Sequence, residues 1–375
     1  MTEAARSYAD RVVLTHHWLV GMRGGERVLE EFCRMFPDAP IYTLVVQRDR
    51  LSSLLRERRI VPSSLQLLPG ATRHYKKMLP LMGPAIALMK VPRKTKLVIS
   101  SDASLIKGIR VPRRAVHICY CHSPPRYIWD MSDIYMEQTA GLGTFGKWAF
   151  GRVIKPLRRF DRAAAEGVTR FIANSTFVQE RIRQFYKRKS QVIHPPVDVD
   201  SFDATRPRGD FYVLVSELVP YKRVDLAVRA FAELDQRLVI IGDGSERAAL
   251  EKLATPNVEF LGYQPFATLK EHYETCRAFL CPQLEDFGIA VVEAQAAGAP
   301  VIAFNQGGVL DSVKPDETGL FFNQQTSTHI ANAVRDFEER LAAWDAKLCR
   351  QNAERFRPER FRQAFTDFLE AEGFM

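Results

Sequence analysis

A chain of 375 residues exceeds one ordinary domain, and two units of about 150–200 residues are its natural organisation. With 46 % apolar and 26 % charged residues it is neither disordered nor fibrous, and six cysteines without framework spacing exclude a disulfide scaffold and point to a reducing cytoplasm. The net charge of +9 is unevenly placed: residues 1–200 carry 34 Lys and Arg against 17 Asp and Glu, residues 201–375 only 19 against 27, so an anionic partner is expected for the first half alone.

Residues 1–10 are polar and the apolar stretch after them is short, so no signal peptide is expected. Arg11–Thr15 reads as a strand that runs into His16 and His17, and Gly24-Gly25 opens a helix over 26–35. Glycines there let backbone approach a ligand, although a plain tight turn is the alternative. A strand at 41–44 follows. Arg73–Met82, continuing through Lys90 to Arg93-Lys-Thr-Lys96, mixes cations with apolar residues and reads as a patch that rests on a membrane. Its apolar run, Met78–Met89, is too short to cross a bilayer and holds two prolines. Strands at 97–100 and 115–120 lead to Cys121-His122-Ser-Pro-Pro-Arg126-Tyr127. His117, Cys119, Cys121 and His122 are zinc-ligand types, but strand alternation splits the nearer ones between faces and no second pair completes a tetrahedral set. A second basic stretch, 147–162, interleaves Trp148, Phe150 and Phe160; both basic stretches could equally be amphipathic helices packed on a sheet. The surplus cations suit an anionic membrane surface, where each contributes about 1 kcal/mol. No helix-turn-helix, zinc-finger or RNP-like pattern argues for nucleic acid. Arg170–Asn174 is a strand, and Asn174-Ser-Thr176 reads as a helix cap before 177–186 rather than a glycosylation site.

The proline-rich stretch 195–210 is the seam. Beyond it, strands at 211–216, 237–242, 258–261, 278–281 and 300–304 alternate with helices such as 223–233 and 267–276. Continuous rather than alternating hydrophobicity predicts parallel strands buried on both faces, hence two doubly wound α/β domains facing across a cleft. Such sheets bind ligands at the carboxyl ends of their strands. At one of these ends stands Glu285-Asp-Phe-Gly-Ile-Ala-Val-Val-Glu293, between a strand and a helix that Gly298 stops. Phe287-Gly288-Ile289 would open the helix, whose amide groups and dipole suit a diphosphate. Two carboxylates flanking an anion site fit a ligand with hydroxyl-bearing rings on both sides of a diphosphate, as in a nucleotide sugar; a dipole partner plus a solvated glutamate is the bland alternative. Lys222, at the end of a strand, can reach a diphosphate as a point charge.

With Gly24-Gly25-Glu26-Arg27, Cys121–Tyr127, Ile172–Phe177, Val192–Asp198, Leu218–Arg223, Ile241–Gly244 and Thr318–Phe321, the E-x7-E element resembles the family 4 retaining glycosyltransferases of the GT-B fold over nearly the whole chain. The Cys-His-Ser-Pro-Pro-Arg-Tyr and Val-Pro-Tyr-Lys-Arg wording is similar to the mannosyltransferase-like branch that builds bacterial surface polysaccharides. The resemblance implies a domain over 1–200 on the acceptor side, a nucleotide-sugar domain over 201–355 and a helix over 356–375 that crosses back to the first domain. It places Glu285 and His122 at the donor hexose, Glu293 at the ribose, Gly24 and Gly25 at the diphosphate or the transferred sugar, and Lys222 at the diphosphate, while Gly242 and Gly244 cup the base. Two departures stand out. Glu217 occupies the place of a usual phosphate-binding arginine, leaving Arg223 as second cation, and His17 replaces a carboxylate on the acceptor side beside His16 and Arg126. The implied reaction is hexose transfer, mannose from GDP-mannose as the best guess, to a lipid-linked saccharide at the inner membrane face, with neither metal nor cofactor. A nucleotide-sugar epimerase or phosphorylase of the same architecture, and a non-catalytic nucleotide-sugar sensor, are the rival readings.

Overall fold

The computed structural model of the protein describes residues 11–132 and 143–374; the polar segment 1–10 and the side chains of Trp148 and Phe150 lie outside the described residues. The chain forms two compact units, one of residues 1–196 and 361–375 and the other of residues 197–360.

The first unit is built on a seven-stranded sheet of order β3-β2-β1-β4-β5-β6-β7, every pairing parallel. Its strands are β1 (Val12–His16), β2 (Ile41–Thr43), β3 (Ile60–Pro62), β4 (Leu97–Asp102), β5 (Val116–Cys121), β6 (Arg170–Ala173) and β7 (Ser190–Val192). All residues of β1 and β4 are buried, as expected of Val- and Ile-rich strands covered on both faces. The sheet reverses its order between β1 and β4, the switch point where open α/β sheets take ligands. There the register sets Thr15 beside Ser100 and His16 beside Ser101.

Helix α1 (Gly24–Met35) turns Val28, Leu29 and Phe32 into the core. Helix α2 (Leu79–Leu88) differs from the expected membrane patch. Tyr75, Met82, Ala85, Ile86 and Met89 are core residues, so most of the apolar half of that segment packs inward. Only Leu67, Leu68, Leu81 and Leu88 remain exposed around it. Helix α3 (Gly143–Glu166) likewise buries Ile154 and Leu157 and lays Phe160 on Gly83 and Gly108. Helix α4 (Thr176–Tyr186) is capped by the Ser175 hydroxyl, which accepts from the Val178 amide.

The second unit carries β8 (Phe211–Val215), β9 (Arg237–Ile241), β10 (Val258–Gly262), β11 (Ala278–Cys281), β12 (Val301–Phe304) and β13 (Gly319–Phe322). Their order, β10-β9-β8-β11-β12-β13, is again parallel, with its switch point between β8 and β11. Helices α5 (Val224–Phe231), α6 (Ile289–Ala296) and α7 (Ser327–Glu339) cover it.

The last helix, α8 (Pro358–Ala371), has Phe361, Phe365, Phe368 and Leu369 in the core of the first unit, with Phe361 and Phe365 against Phe32 and Arg362 paired with Glu31. The division falls after Pro196 and again after Arg360, rather than after 200 and 355. Local bonds explain the shift. The Val197 amide donates to the Phe356 carbonyl at 2.8 Å, and Arg357 pairs with Asp200, which stitches both segments into the second unit.

Candidate functional site

Each switch point holds a cluster of polar side chains. In the first unit it centres on three histidines. His16 is fully buried at the end of β1, with Nδ1 3.1 Å from Ser101 Oγ and Nε2 3.4 Å from Glu26 Oε1. Ser101 Oγ lies in turn 2.7 Å from His122 Nε2. Serine has a single proton to give, so Ser101 donates to one imidazole and accepts from the other, and the histidine tautomers decide which. The Glu26 carboxylate favours the proton on His16 Nε2, although that contact is too misaligned to be a full hydrogen bond. His16 Nδ1 then accepts from Ser101, whose oxygen accepts from His122 Nε2–H. His122 Nδ1 is thereby left as an acceptor. Burial alone would raise the Glu26 carboxyl, but His16 and His17 beside it hold it down at about 2. Its other oxygen accepts from the Arg23 amide at 2.9 Å, closing the first turn of α1.

His17 stacks on His16 with ring centroids 4.1 Å apart. Burial, with the neighbouring His16 ring as the next cause, lowers its pKa to about 3, so it is a neutral imidazole whose Nδ1 is buried without a hydrogen-bond partner among the described residues. Gly25 packs closely here: a Cβ there would lie 3.3 Å from His16 Cε1, tighter than usual, and 3.5 Å from His122 Nε2, an ordinary contact. Gly24 begins α1 beside it. Arg126 sits on the loop after β5 with its guanidinium over the Phe177 ring at 5.9 Å and near Met131 Sδ.

Beneath the histidines, Lys107 is buried between two carboxylates, with Nζ 3.3 Å from Asp102 and in contact with Asp161. Asp161 also accepts from Trp129 Nε1 and the Tyr186 hydroxyl, each at 2.8 Å. His117 belongs to the same layer: its Nε2 lies 2.7 Å from Ser100 Oγ, and burial lowers its pKa to about 4.

In the second unit, Lys222 Nζ donates to Glu285 Oε1 at 2.7 Å, and Gln283 Nε2 donates to the same oxygen at 2.9 Å. Both members of the Lys222–Glu285 pair are about one-fifth exposed (19 % and 20 %), a partly open position in which an ion pair can be exchanged for a ligand. Gly288 caps α6 with φ +87°, and the amides of Ile289 and Ala290 begin a helix turn without i−4 partners inside it. Phe287 offers only backbone to this turn, because its ring is core and packs on Phe356 at 5.4 Å. Glu293 lies one turn deeper, 8 % exposed, with the Tyr273 hydroxyl donating to Oε2 at 3.4 Å. Arg223 carries its own counter-ion: Nε is 3.3 Å from Asp225, and its backbone is left-handed at φ +52°.

Gly242 and Gly244 are explained by packing of neighbouring loops. A Cβ at 242 would lie 1.8 Å from the Ser216 carbonyl oxygen and one at 244 would lie 2.2 Å from that of Leu218. Sequence reasoning gave Glu26 only as part of a motif and passed over Ser101, Asp102 and Gly307-Gly308. The glycine pair seats the Glu285 loop: Gly308 N–H donates to the Glu285 carbonyl at 2.9 Å, and a Cβ at 308 would lie 2.2 Å from the Asp286 carbonyl oxygen. The signals were present, as a polar Ser-Ser-Asp end to an apolar strand and a second glycine pair after β12.

The sequence profile described as Glycosyltransferase Family 4 matches residues 22–201, and that described as Glycosyl transferases group 1 matches 200–355. The chain belongs to the family 4 glycosyltransferases. Among similar curated proteins, the GDP-mannose-dependent alpha-(1-6)-phosphatidylinositol monomannoside mannosyltransferase of Mycobacterium tuberculosis is 34 % identical over 33 % of this chain and 37 % of its own. The alpha-1,3/1,6-mannosyltransferase ALG2 of Rhizomucor pusillus is 29 % identical over 48 % and 51 %. The chain thus spans between about a third and a half of the length of these relatives. Two solved structures share the architecture at 17 % identity: Anabaena Alr3699/HepE in complex with UDP (TM-score 0.69, 96 % of this chain and 100 % of that one) and the sucrose-phosphate synthase of Thermosynechococcus elongatus (TM-score 0.72, 96 % and 98 %). The fold of this family 4 glycosyltransferase is GT-B, with two Rossmann-like parallel-sheet domains.

Proposed function

We propose that the protein transfers a hexose from a nucleoside diphosphate sugar to a hydroxyl of a lipid-linked saccharide, with retention at the anomeric carbon. The observation that carries this reading is the partly exposed Lys222–Glu285 pair beside the amide-rich start of α6. An incoming diphosphate draws Lys222 off Glu285 and takes the helix amides as further donors. The freed Glu285 carboxylate then accepts from hexose hydroxyls and fixes the anomeric carbon, while Glu293 accepts from the ribose. Charge develops on the departing diphosphate in the transition state, and in this reading Lys222 and the helix amides meet it there, so stabilisation is electrostatic and needs no metal. His122 is assigned to the hexose, and His16, His17 and Arg126 to the acceptor side, as the family resemblance implies. The leaving phosphate oxygen takes the acceptor proton, and no glycosyl-enzyme forms.

Mannose from GDP-mannose is the favoured donor, supported by similarity to relatives named as mannosyltransferases. Among the described residues no helix is long and apolar enough to cross a membrane. A peripheral position on an anionic inner-membrane face is supported by the basic first half and by Leu81 and Leu88, exposed near Lys76, Lys77 and Lys90. Transfer of label from a panel of nucleotide sugars to a lipid-linked saccharide tests the reading. Glu285→Ala should lower turnover on the order of 100-fold while nucleotide affinity is kept, because it disturbs only the placement of the hexose. Glu293→Ala should weaken nucleotide binding about 10- to 100-fold, the effect of losing hydrogen bonds to a charged acceptor. Wild-type turnover in the first variant, or unchanged calorimetric affinity in the second, removes that residue from the site.

A further inference from the structure

The edge of the first sheet opposite the histidine cluster is crowded with cations. Arg11 precedes β1, Arg93, Lys94 and Lys96 precede β4, and Arg114 precedes β5; with Thr95 they line a concave pocket of about 480 Å³. All five cations are exposed, while Thr95 is buried beneath them at 3 % exposure. The pocket is held by backbone bonds rather than by its charges. The Arg11 carbonyl accepts from the Lys96 amide at 2.8 Å, the Lys96 carbonyl accepts from the Val116 amide at 2.8 Å, and the Thr95 amide closes a turn on the Pro92 carbonyl at 3.0 Å.

This arrangement costs free energy. Arg11 and Lys96 stand one residue before the register pair Val12↔Leu97, on strands about 4.8 Å apart, and like charges so placed repel. Among the described residues no carboxylate lines the pocket or pairs with these five side chains. Elsewhere the same domain balances its cations locally, as Arg34 and Arg362 do with Glu31 and Arg170 does with Glu372. A concentration of cations that is rigidly framed and has no counter-ion among the described residues is suited to a multivalent anion from outside the chain.

We propose that this pocket binds a compact anion carrying two or more phosphoryl groups. Three arginine forks match phosphate oxygens in bidentate fashion and two lysines add point charges. A single phosphate group, with a charge near −2, would leave more than half of the five cations unbalanced. Among the described residues neither an aromatic nor an apolar side chain lines the pocket, so these residues offer no stacking platform for bases and nothing to insert among acyl chains. The site is also distinct from a donor site at a switch point. Along the five residues of β1, at about 3.3 Å each, roughly 17 Å separates this edge from His16 and His17.

Calorimetric titration of the purified chain with sodium tripolyphosphate at physiological ionic strength tests the proposal, with orthophosphate and phosphatidylglycerol vesicles as the other arms. Tripolyphosphate should bind at least tenfold tighter than orthophosphate. The double variant Lys94→Ala/Arg114→Ala should weaken it at least tenfold with an unchanged unfolding midpoint, and Lys222→Ala should remove only the part contributed by the donor diphosphate site and leave the part that depends on Lys94 and Arg114 intact. If the double variant unfolds, Lys94→Gln and Arg114→Gln should each show part of the same loss. The proposal is overturned by absence of tripolyphosphate binding, by binding that survives the edge substitutions undiminished or disappears only in Lys222→Ala, or by vesicle binding that depends on Lys94 and Arg114 where tripolyphosphate does not bind. Because the readout is binding rather than turnover, the outcome is independent of which sugar the enzyme transfers.

Discussion

Glu26 illustrates how a residue can set the chemistry of another that it does not touch. Its charge selects the proton position on His16, Ser101 passes the choice on, and His122 is left presenting Nδ1 as an acceptor. A hydroxyl of a bound sugar would find an oriented acceptor there instead of a ring averaging between tautomers. Glu26 is therefore a positioning residue, and Glu26→Leu should lower kcat by about tenfold, roughly the worth of one ordinary hydrogen bond, with a smaller effect on KM. The 15N shifts of His122 supply a second readout that lost packing alone would not move: mainly Nε2-protonated in the wild type, a mixture in the variant. A single unchanged tautomer would break the proposed connection. This relay was invisible in the linear chain because Glu26 and Ser101 stand 75 residues apart and meet only through the pairing of β1 with β4.

At the scale of elements, most of the architecture was legible and its edges were not. The ten strands read from continuous apolar runs include every interior strand of both sheets. The three that escaped, β3, β7 and β13, are all outermost. An outer strand is covered less completely, and β3 and β7 have only three residues each with mixed exposure, so the signal that marks a doubly buried strand fades. The turn before α6 shows the complementary case. Gly288 and the helix stop were readable from local rules, whereas the Gly307-Gly308 seat that supports the loop depends on strand order. Gly308 has ordinary helical backbone angles, so steric room alone demands glycine there. Gly308→Ala should cost about 2–4 kcal/mol, in the range of overpacked cores, and should displace the Glu285 loop enough to abolish nucleotide binding. Gly151→Ala, at a helical position with open space around it, should instead be neutral or stabilise by up to about 1 kcal/mol. Equal midpoints for the two variants would show that the close approach at Gly308 does not constrain the loop.

For the whole molecule, the buried imidazoles make acid sensitivity a property of the first domain. Burial lowers His17 to about 3 and His117 to about 4, against 6.5 for an exposed histidine. Both values are depressed, so between pH 6.5 and 5 the unfolded chain binds protons that the native domain refuses, and stability must fall as pH falls. Two such groups amount to about 3 kcal/mol over that interval, before any structural relaxation. The interval lies above the ordinary carboxylate range, which keeps Glu26, held near 2, out of the titration. Trp18, packed on Tyr75 at 4.7 Å, and Trp129, stacked on Phe185 at 5.0 Å, report on this domain by fluorescence. Its urea midpoint should therefore drop markedly from pH 6.5 to pH 5. In His17→Gln, which removes one titrating group, the drop should be about half as large. A midpoint independent of pH, or an undiminished drop in the variant, would mean that His17 is protonated in the native state despite its burial.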